Sequence, residues 1–124
     1  MNKMIFADNA PKAVGPYSHG VDTGSMFFCS GQLGLDPETG ELKDGVINQA
    51  KMSLANMDAV LKAAGYEKTD VVKTVVFIKD MNDFAAVNEV YAEYFGEHKP
   101  ARSCVEVARL PKDGMVEIEC IAVK

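Results

Sequence analysis

Two segments of the chain repeat apolar residues at alternating intervals of three and four, which places them along one side of a helix. The first segment predicts a helix over Val46–Ala64, with Asp44 as its N-terminal cap and Gly65 at its end. The second predicts a helix over Asp83–Phe95. The apolar positions are Ile47, Ala50, Leu54, Met57, Leu61 and Ala64 in the first helix, and Phe84, Val87, Tyr91 and Tyr94 in the second.

The other apolar residues lie in short runs rich in β-branched and aromatic side chains, bounded by turn-forming residues, and such runs are typical of strands. Three predicted strands precede the first helix, one lies between the helices and two follow the second. The turn at Thr23–Ser25 predicts a hairpin, Gly31–Gly45 an irregular loop, and Leu110–Gly114 a second hairpin. The predicted strands are Lys3–Ala7, Tyr17–Asp22, Met26–Ser30, Val71–Ile78, Ser103–Arg109 and Met115–Val123.

Each predicted helix has one apolar side, so both are expected to pack on one face of a single sheet. This order of elements predicts an α+β fold, a two-layer sandwich of one mixed sheet of about six strands with two helices on one face. The other face of the sheet carries further apolar residues, which a second copy of the chain would cover. These residues include Met26, Phe28, Val105 and Val107.

Length and charge narrow the classes of function. A chain of 124 residues predicts one domain, spanning residues 1–124. The formal net charge of -5 argues against nucleic acid as the main partner, since phosphate binding needs a surplus of Lys and Arg on one face. Asp8 and Pro11 interrupt the N-terminal stretch before it reaches the length of a signal peptide, and no later run is long enough to span a membrane. We therefore expect a cytoplasmic protein without a membrane partner.

The cysteines and histidines do not form a metal-binding pattern. Cys29, Cys104 and Cys120 lie in strand-like runs, and an odd number of cysteines in a cytosolic chain favours free thiols that serve as small buried apolar residues. His19 and His98 have no helical or finger-like spacing to each other or to a cysteine. We expect no metal, and a strand-end or surface role for His19.

Arg102 is a candidate anion-binding residue. It follows Pro100-Ala101 at the start of a predicted strand, where a guanidinium held in place can bind a carboxylate through two parallel hydrogen bonds. On the residues alone, a surface ion pair is the commoner role for such an arginine. Arg109 lies beside the last turn, and we expect it to be structural or solvated.

Glu117 and Glu119 are candidate acid–base residues on the last strand. They share one side of that strand with Met115 and Ile121, so each is either a solvent-facing acid or a carboxylate with a function that offsets its desolvation. A regular hairpin would pair Val107 with Glu117 and put Arg102 roughly 16 Å away, on the opposite side of the sheet. If Arg102 and Glu117 act on one small molecule, they then come from different subunits.

Four separated segments of the chain resemble, in the same order, the Rid (YjgF) family of RidA-type reactive intermediate deaminases. The resemblance implies a homotrimer of chorismate-mutase-like subunits whose sheets face a central barrel-like core. It also implies a 2-iminobutanoate/2-iminopropanoate deaminase that hydrolyses 2-aminoacrylate and related enamines and imines to 2-keto acids and ammonia, with no cofactor. The segments are Gly15-Pro16-Tyr17-Ser18, Ser30-Gly31-Gln32, Asp80-Met81-Asn82-Asp83-Phe84 and the stretch Pro100–Ala122.

The resemblance also assigns roles to single residues. Arg102 would bind the carboxylate of the substrate, and Glu117, in preference to Glu119, would position the hydrolytic water. The substrate-binding residues would further include Tyr17, Ser30, Gly31, Asn88 and the backbone of Cys104. Without the resemblance, Tyr17 reads as a packing residue, Ser30-Gly31 as a strand-ending turn and Asn88 as a helix-surface residue.

Three functions stay open at this point. The first is the deaminase, supplied with its reactive substrate by pyridoxal-phosphate dehydratases. The second is a regulator that binds a 2-keto acid without catalysis. The third, from other members of the family, is an endoribonuclease or translation inhibitor, which the acidic charge disfavours.

Overall fold

The computed structural model describes residues 1–124 and contains six strands and two helices in the predicted order. Every predicted helix and strand is present, with ends that shift by a few residues. The strands are β1 (Lys3–Ile5), β2 (Gly20–Asp22), β3 (Met26–Leu33), β4 (Val71–Ile78), β5 (Ala101–Glu106) and β6 (Val116–Val123), and the helices are α1 (Gly45–Ala63) and α2 (Phe84–Phe95).

The strands form one sheet in the order β1-β2-β3-β6-β4-β5. All neighbours are antiparallel except β4 and β5, which are parallel and are connected through α2. The predicted mixed sheet is therefore confirmed, as is the hairpin at Thr23–Ser25, because β2 and β3 pair directly. β4 is an interior strand, as its apolar residues on both sides predict.

The predicted hairpin between the last two strands is wrong. β6 pairs with β3 and β4 in the middle of the sheet, whereas β5 pairs with β4 alone at the edge. The physical reason is burial: every second residue of β6, from Val116 to Ala122, is buried, whereas no residue of β5 is fully buried. A central position in the sheet buries this side of β6, and that burial stabilises β6 more than a hairpin with β5 at the edge would.

Both helices cover the same face of the sheet, and their apolar sides form one core with the buried sides of the strands. Burial of each large apolar side chain contributes about 1.5–3 kcal/mol relative to exposure. Gly65 and Gly96 follow the helices with φ values of 83° and 64°, a conformation that glycine adopts without steric strain. Asp44 lies at the N-cap of α1, but its side chain makes no capping hydrogen bond.

The other face of the sheet is open and partly apolar. Phe28 on β3 and Val105 on β5 point to this face and are 43% and 42% exposed, and Val123 is 39% exposed. Apolar residues thus occupy both faces, as predicted. Cys29, Cys104 and Cys120 are free, and Cys29 and Cys120 are buried in the core. Neither helix has the length and apolar character needed to cross a lipid bilayer.

Candidate active site

A β-bulge in β3 shapes the first part of the candidate site. Cys29 pairs with Cys120 and Gln32 with Ile118, so β3 carries one more residue than β6 between these two pairs. The strand was predicted to end at Ser30, but it continues through the bulge to Leu33. Ser30 anchors the bulge, since its Oγ donates to Ser18 O at 2.8 Å and its N–H to His19 O at 2.9 Å.

Gly31 in the bulge packs directly against Glu117 on the neighbouring strand. A Cβ atom at Gly31 would lie 2.8 Å from Glu117 Cδ and 3.0 Å from Cγ, too close for two carbon atoms. The φ of Gly31 does not require glycine, so the side chain of Glu117 is what excludes a larger residue here. The absence of a side chain at Gly31 therefore leaves the space that the carboxyl group of Glu117 occupies.

Glu117 lies in a cleft of about 510 Å³ on the open side of the sheet. Tyr17 contributes its ring from a tight turn before β2, in which Tyr17 N–H donates to Gly15 O at 2.9 Å and Gly15 has a φ of 123°. Tyr17 was predicted to begin the strand, but this turn keeps it outside. The cleft is lined by Pro11, Lys12, Val14, Tyr17, His19, Ser30, Gly31, Gln32, Leu33, Leu35, Pro111, Lys112 and Glu117.

The carboxyl group of Glu117 has neither a cationic partner nor a hydrogen bond within the chain. Burial raises its pKa above the ordinary value of 4.5, and the negative charge of Glu119 on the same strand raises it further. A carboxylate with a raised pKa and no partner is better able to accept a proton near neutral pH. Glu117 is therefore suited to act as a general base.

His19 lines the same cleft, but both of its ring nitrogens are already used. Its Nδ1 accepts from Ala7 N–H at 2.8 Å, and its Nε2 lies 2.7 Å from Pro11 O. Since Nδ1 accepts, Nε2 carries the proton, and the ring joins β2 to the segment that follows β1. Of the two roles expected for His19, the strand-end role is the one observed, because His19 directly precedes β2 and is buried.

Arg102 lies in a second cleft, of about 360 Å³, between α2 and the start of β5. Its Nη1 donates to Asn88 Oδ1 at 2.7 Å, and its guanidinium carbon lies 4.8 Å from the centre of the Tyr91 ring and 5.6 Å from that of Phe84. The other N–H groups of the guanidinium have no acceptor within the chain. Arg102 can therefore bind an anion while it keeps its hydrogen bond to Asn88.

Comparison with Arg109 shows that Arg102 is not a surface ion-pair residue. Arg109 Nε forms an ion pair with Asp113 Oδ1 at 2.8 Å, and both side chains are more than 70% exposed. This agrees with the solvated role predicted for Arg109. Arg102 lies within 4.0 Å of no carboxylate, so its charge remains available for a ligand.

The two clefts lie on opposite faces of the sheet. Arg102 pairs with Thr74 on the helix-covered face, whereas Glu117 pairs with Phe77 on the open face. The register separates their Cα atoms by two strand spacings and three residues, about 14 Å. The distance between Arg102 and Glu117 was predicted from a hairpin of β5 and β6 that does not exist. The observed topology leads to the same conclusion, because Arg102 and Glu117 of one chain are too far apart to share a small ligand.

Cys104 follows Arg102 on the same side of β5 and is partly buried. Burial raises the pKa of its thiol, an effect that the positive charge of Arg102 partly opposes. The thiol is thus mainly protonated at neutral pH. No group of three or more His, Cys, Asp and Glu side chains lies close enough to hold a metal ion.

Sequence reasoning missed the two aromatic residues around Arg102, because it assigned Phe84 and Tyr91 to the core side of the second helix. A signal was present in their spacing. Phe84, Asn88 and Tyr91 are separated by four and three residues, which places all three along one side of α2. That side faces the guanidinium as well as the core.

The chain matches the family described as endoribonuclease L-PSP over residues 7–124. It belongs to this family. It is 56% identical to the 2-iminobutanoate/2-iminopropanoate deaminase of Salmonella typhimurium, over 100% of this chain and 99% of the relative. The predicted resemblance to the Rid family is confirmed.

Solved structures of the family agree with this result. RidA from the Antarctic bacterium Psychrobacter sp. PAMC 21119 is 48% identical, with a TM-score of 0.96 over 98% of this chain and 99% of that one. Escherichia coli TdcF with bound serine is 54% identical, with a TM-score of 0.95 over 98% of each chain. The α+β fold predicted from the sequence is therefore that of the family.

Proposed function

We propose that the protein is a hydrolytic deaminase that converts 2-aminoacrylate and related enamines or imines to 2-keto acids and ammonia. The reaction takes place between two subunits of a homotrimer, where Arg102 of one subunit meets the Glu117 cleft of the next. Tyr17, Ser30 and Gly31 belong to the Glu117 side of this site. Asn88 and the backbone of Cys104 belong to the Arg102 side.

One observation carries the proposal: Arg102 and Glu117 both lack an oppositely charged partner, and each opens into a different cleft. A half-buried carboxylate and a partly buried guanidinium normally find partners within their own chain. Here the arginine lacks an anion and the glutamate lacks a proton donor. A small imino acid with a bound water supplies both, provided that two chains bring the clefts together.

The names of the relatives support this chemistry. The Salmonella relative is a 2-iminobutanoate/2-iminopropanoate deaminase, and an E. coli relative is 54% identical and named a putative reactive intermediate deaminase. The relative solved with serine binds a small amino acid, a molecule with the carboxylate that Arg102 would recognise. These likenesses cover nearly the whole chain.

In the proposed reaction, Arg102 binds the substrate carboxylate through two N–H groups and holds the imine carbon near the Glu117 cleft. An enamine substrate first tautomerises to the imine. Glu117 accepts a proton from water as the water oxygen bonds to the imine carbon and the C=N bond becomes single, and it returns this proton to the nitrogen to give a carbinolamine. Glu117 then accepts the hydroxyl proton as the C=O bond of the 2-keto acid forms, and passes it to the nitrogen as the C–N bond breaks, so that the nitrogen leaves as ammonia.

The open face of the sheet supports the homotrimer. Phe28, Val105 and Val123 form exposed apolar surface opposite the helices, and other copies of the chain would remove it from water. Closed cyclic symmetry brings each chain into the same contact with the next, so a trimer contains three identical shared sites. The proposal includes pyridoxal-phosphate dehydratases as the enzymes that release the substrate, and the cytoplasm as the compartment, where the three thiols would remain reduced.

Two other functions have less support. An endoribonuclease, which the family description names, would need a positively charged surface for RNA, whereas this chain has a net charge of -5. Its buried His19 is also unable to act as a base, because Nδ1 accepts a hydrogen bond from Ala7. A non-catalytic sensor of 2-keto acids would use Arg102 but has no need of an unpaired carboxylate with a raised pKa.

The test is a coupled assay in which a pyridoxal-phosphate serine or threonine dehydratase generates the imine and keto-acid formation is followed with and without this protein. Glu117→Gln is expected to lose about 10²-fold or more in rate, because the amide cannot accept the proton of water. Glu119→Gln, on the same strand and face, is the matched control and should retain most activity. A Glu117→Gln protein with the wild-type rate would contradict the mechanism. Keto-acid binding by a wild type that never accelerates hydrolysis would favour the sensor.

A further inference from the structure

We infer that Tyr91 is a positioning residue that holds the guanidinium of Arg102 in the orientation needed to bind a carboxylate, and that Thr74 in turn holds the Tyr91 ring. The inference rests on the proposed function, because it concerns the site to which that function assigns Arg102. The observations are a cation–π contact between Arg102 and Tyr91 and a buried hydrogen bond between Tyr91 and Thr74. The deaminase mechanism above uses neither of them.

Arg102 needs such support because of where it lies. It is the second residue of β5, an edge strand whose side chains are all at least partly exposed, and no ion pair restrains its long side chain. A free arginine at such a place would sample many rotamers. Two contacts from α2 limit that freedom here: Asn88 Oδ1 accepts from Nη1 at 2.7 Å, and the Tyr91 ring lies 4.8 Å from the guanidinium carbon.

The two contacts act on different parts of the guanidinium. Asn88 accepts a hydrogen bond from one N–H at the edge of the guanidinium. An aromatic ring instead attracts the cation through its π face and accepts none of the N–H groups. The Tyr91 contact therefore restrains Arg102 while leaving the remaining donors for a bidentate carboxylate. An ionic partner such as Asp or Glu at this position would restrain the arginine too, but would occupy the donors that the ligand needs.

The ring of Tyr91 is itself fixed from the sheet. Its hydroxyl lies 2.7 Å from Thr74 Oγ1, and both residues are buried, with Thr74 at 0% exposure. Thr74 on β4 is the direct register partner of Arg102 on β5. The hydrogen bond therefore connects the ring to the strand position beside the arginine, and burial raises the pKa of the Tyr91 phenol so that it stays neutral beneath the cation.

Tyr94 provides a matched control on the same helix. Its hydroxyl donates a partly buried hydrogen bond to Asp58 Oδ1 at 2.6 Å, and its ring, like that of Tyr91, packs against Phe95. It faces α1 and has no contact with Arg102. A variant at Tyr94 therefore measures the general effect of removing a hydrogen-bonded tyrosine that packs on Phe95 from α2, without any effect on the guanidinium.

The experiment measures binding of 2-oxobutanoate, an unreactive keto acid, by calorimetry, together with KM and kcat in the coupled dehydratase assay. Tyr91→Leu removes the ring and should raise Kd and KM by about 5- to 30-fold, the range expected for loss of a partly desolvated cation–π contact. Because the carboxylate is bound equally before and during the reaction, kcat should change by less than about 3-fold. Tyr91→Phe keeps the ring but loses the hydrogen bond to Thr74, so its Kd and KM should lie between those of the wild type and of Tyr91→Leu, whereas Tyr94→Leu should leave Kd and KM near the wild-type values.

Each outcome decides the question. Wild-type affinity in Tyr91→Leu, when Arg102→Ala no longer binds, would overturn the inference and leave the proposed function standing. Equal losses in Tyr91→Leu and Tyr94→Leu would also overturn it, since they would show a general packing effect. Wild-type affinity in Arg102→Ala would instead contradict the proposed function itself. If Tyr91→Leu does not fold, Tyr91→Met, which fills the space with a flexible chain, is expected to show the same shift in Kd and KM.

Discussion

Substitution of Gly31 by alanine is expected to separate catalysis from stability. The new Cβ would lie 2.8 Å from Glu117 Cδ, so the carboxyl group must move by about 0.6 Å to restore an ordinary contact of 3.4 Å. Displacement of a catalytic group by about 1 Å lowers a rate by up to ~10²-fold, and we expect a loss between about 10- and 10²-fold for Gly31→Ala.

Stability should not fall in parallel. The φ of Gly31 is not in the left-handed region, and the only close atoms are those of a side chain that can rotate. Alanine in a strand reduces the freedom of the unfolded chain, and the free energy of unfolding should stay the same or rise by about 0.5 kcal/mol. The coupled dehydratase assay measures the rate, and urea unfolding at a fixed protein concentration measures the stability.

Gly34→Ala is the contrasting variant. A Cβ there would lie 2.4 Å from Gln49 O and 2.5 Å from Gln49 Cα, so backbone atoms of α1 would have to move. This variant should be destabilised, with activity lost through unfolding. The reasoning is refuted if Gly31→Ala turns over at the wild-type rate, or if its loss of activity is matched by a loss of stability like that of Gly34→Ala.

Three further results are expected. Burial and the charge of Glu119 raise the pKa of Glu117, so the contribution of Glu117 to stability is lost as the pH rises from 4.5 through that pKa; Glu117→Gln should be the more stable protein at pH 7, and urea unfolding should show no difference from the wild type well below pH 4.5. Phe28→Glu places a charge on the open apolar face, and sedimentation equilibrium should change from about three times the chain mass of 13.4 kDa to one, whereas a variant that stays trimeric would argue against that face as the interface. Asn56→Ala removes the buried hydrogen bond that its Nδ2 donates to Leu33 O and the partly buried one to Leu35 O, and should lower the free energy of unfolding by about 2–4 kcal/mol; an unchanged value would mean that water replaces both bonds.

Helices and strands were predictable because their signals are local. The apolar spacing from Ile47 to Leu61 determines a helix wherever the segment lies, and the β-branched run Val71–Ile78 is a strand in any arrangement of the sheet. Glycines after each helix determined the ends to within one or two residues. That both helices cover one face of the sheet followed from their single apolar sides.

Strand pairing was not predictable in the same way. The short connection Leu110–Gly114 favoured a hairpin, but β6 passes β4 and inserts next to β3, because its alternate residues are fully buried only in the middle of the sheet. Pairing depends on which distant strand can bury that side. No pattern within the last two strands contains this information.

The candidate site also has features with local signals in the sequence and features that depend on contacts between distant segments. Arg102 and Glu117 were identified from their motif, and their separation onto opposite faces agrees with the predicted need for two chains. Their surroundings were not predictable, since the bulge beside Glu117 and the Tyr91–Thr74 contact near Arg102 join segments far apart in sequence. The sequence could not decide between a strand-end and a surface role for His19 for the same reason, because its partners Ala7 and Pro11 lie before the turn at Gly15.

The central claim, a site shared between subunits, is tested most directly by mixing two inactive proteins. Arg102→Ala and Glu117→Gln trimers are unfolded together in equal amounts, refolded and assayed for deaminase activity, with the mass of the product checked by light scattering. If each site takes Arg102 from one chain and Glu117 from the next, random assembly makes about a quarter of the sites complete, and the mixture should recover about that fraction of the wild-type rate. Mixed trimers that remain as inactive as their parents would contradict the shared site.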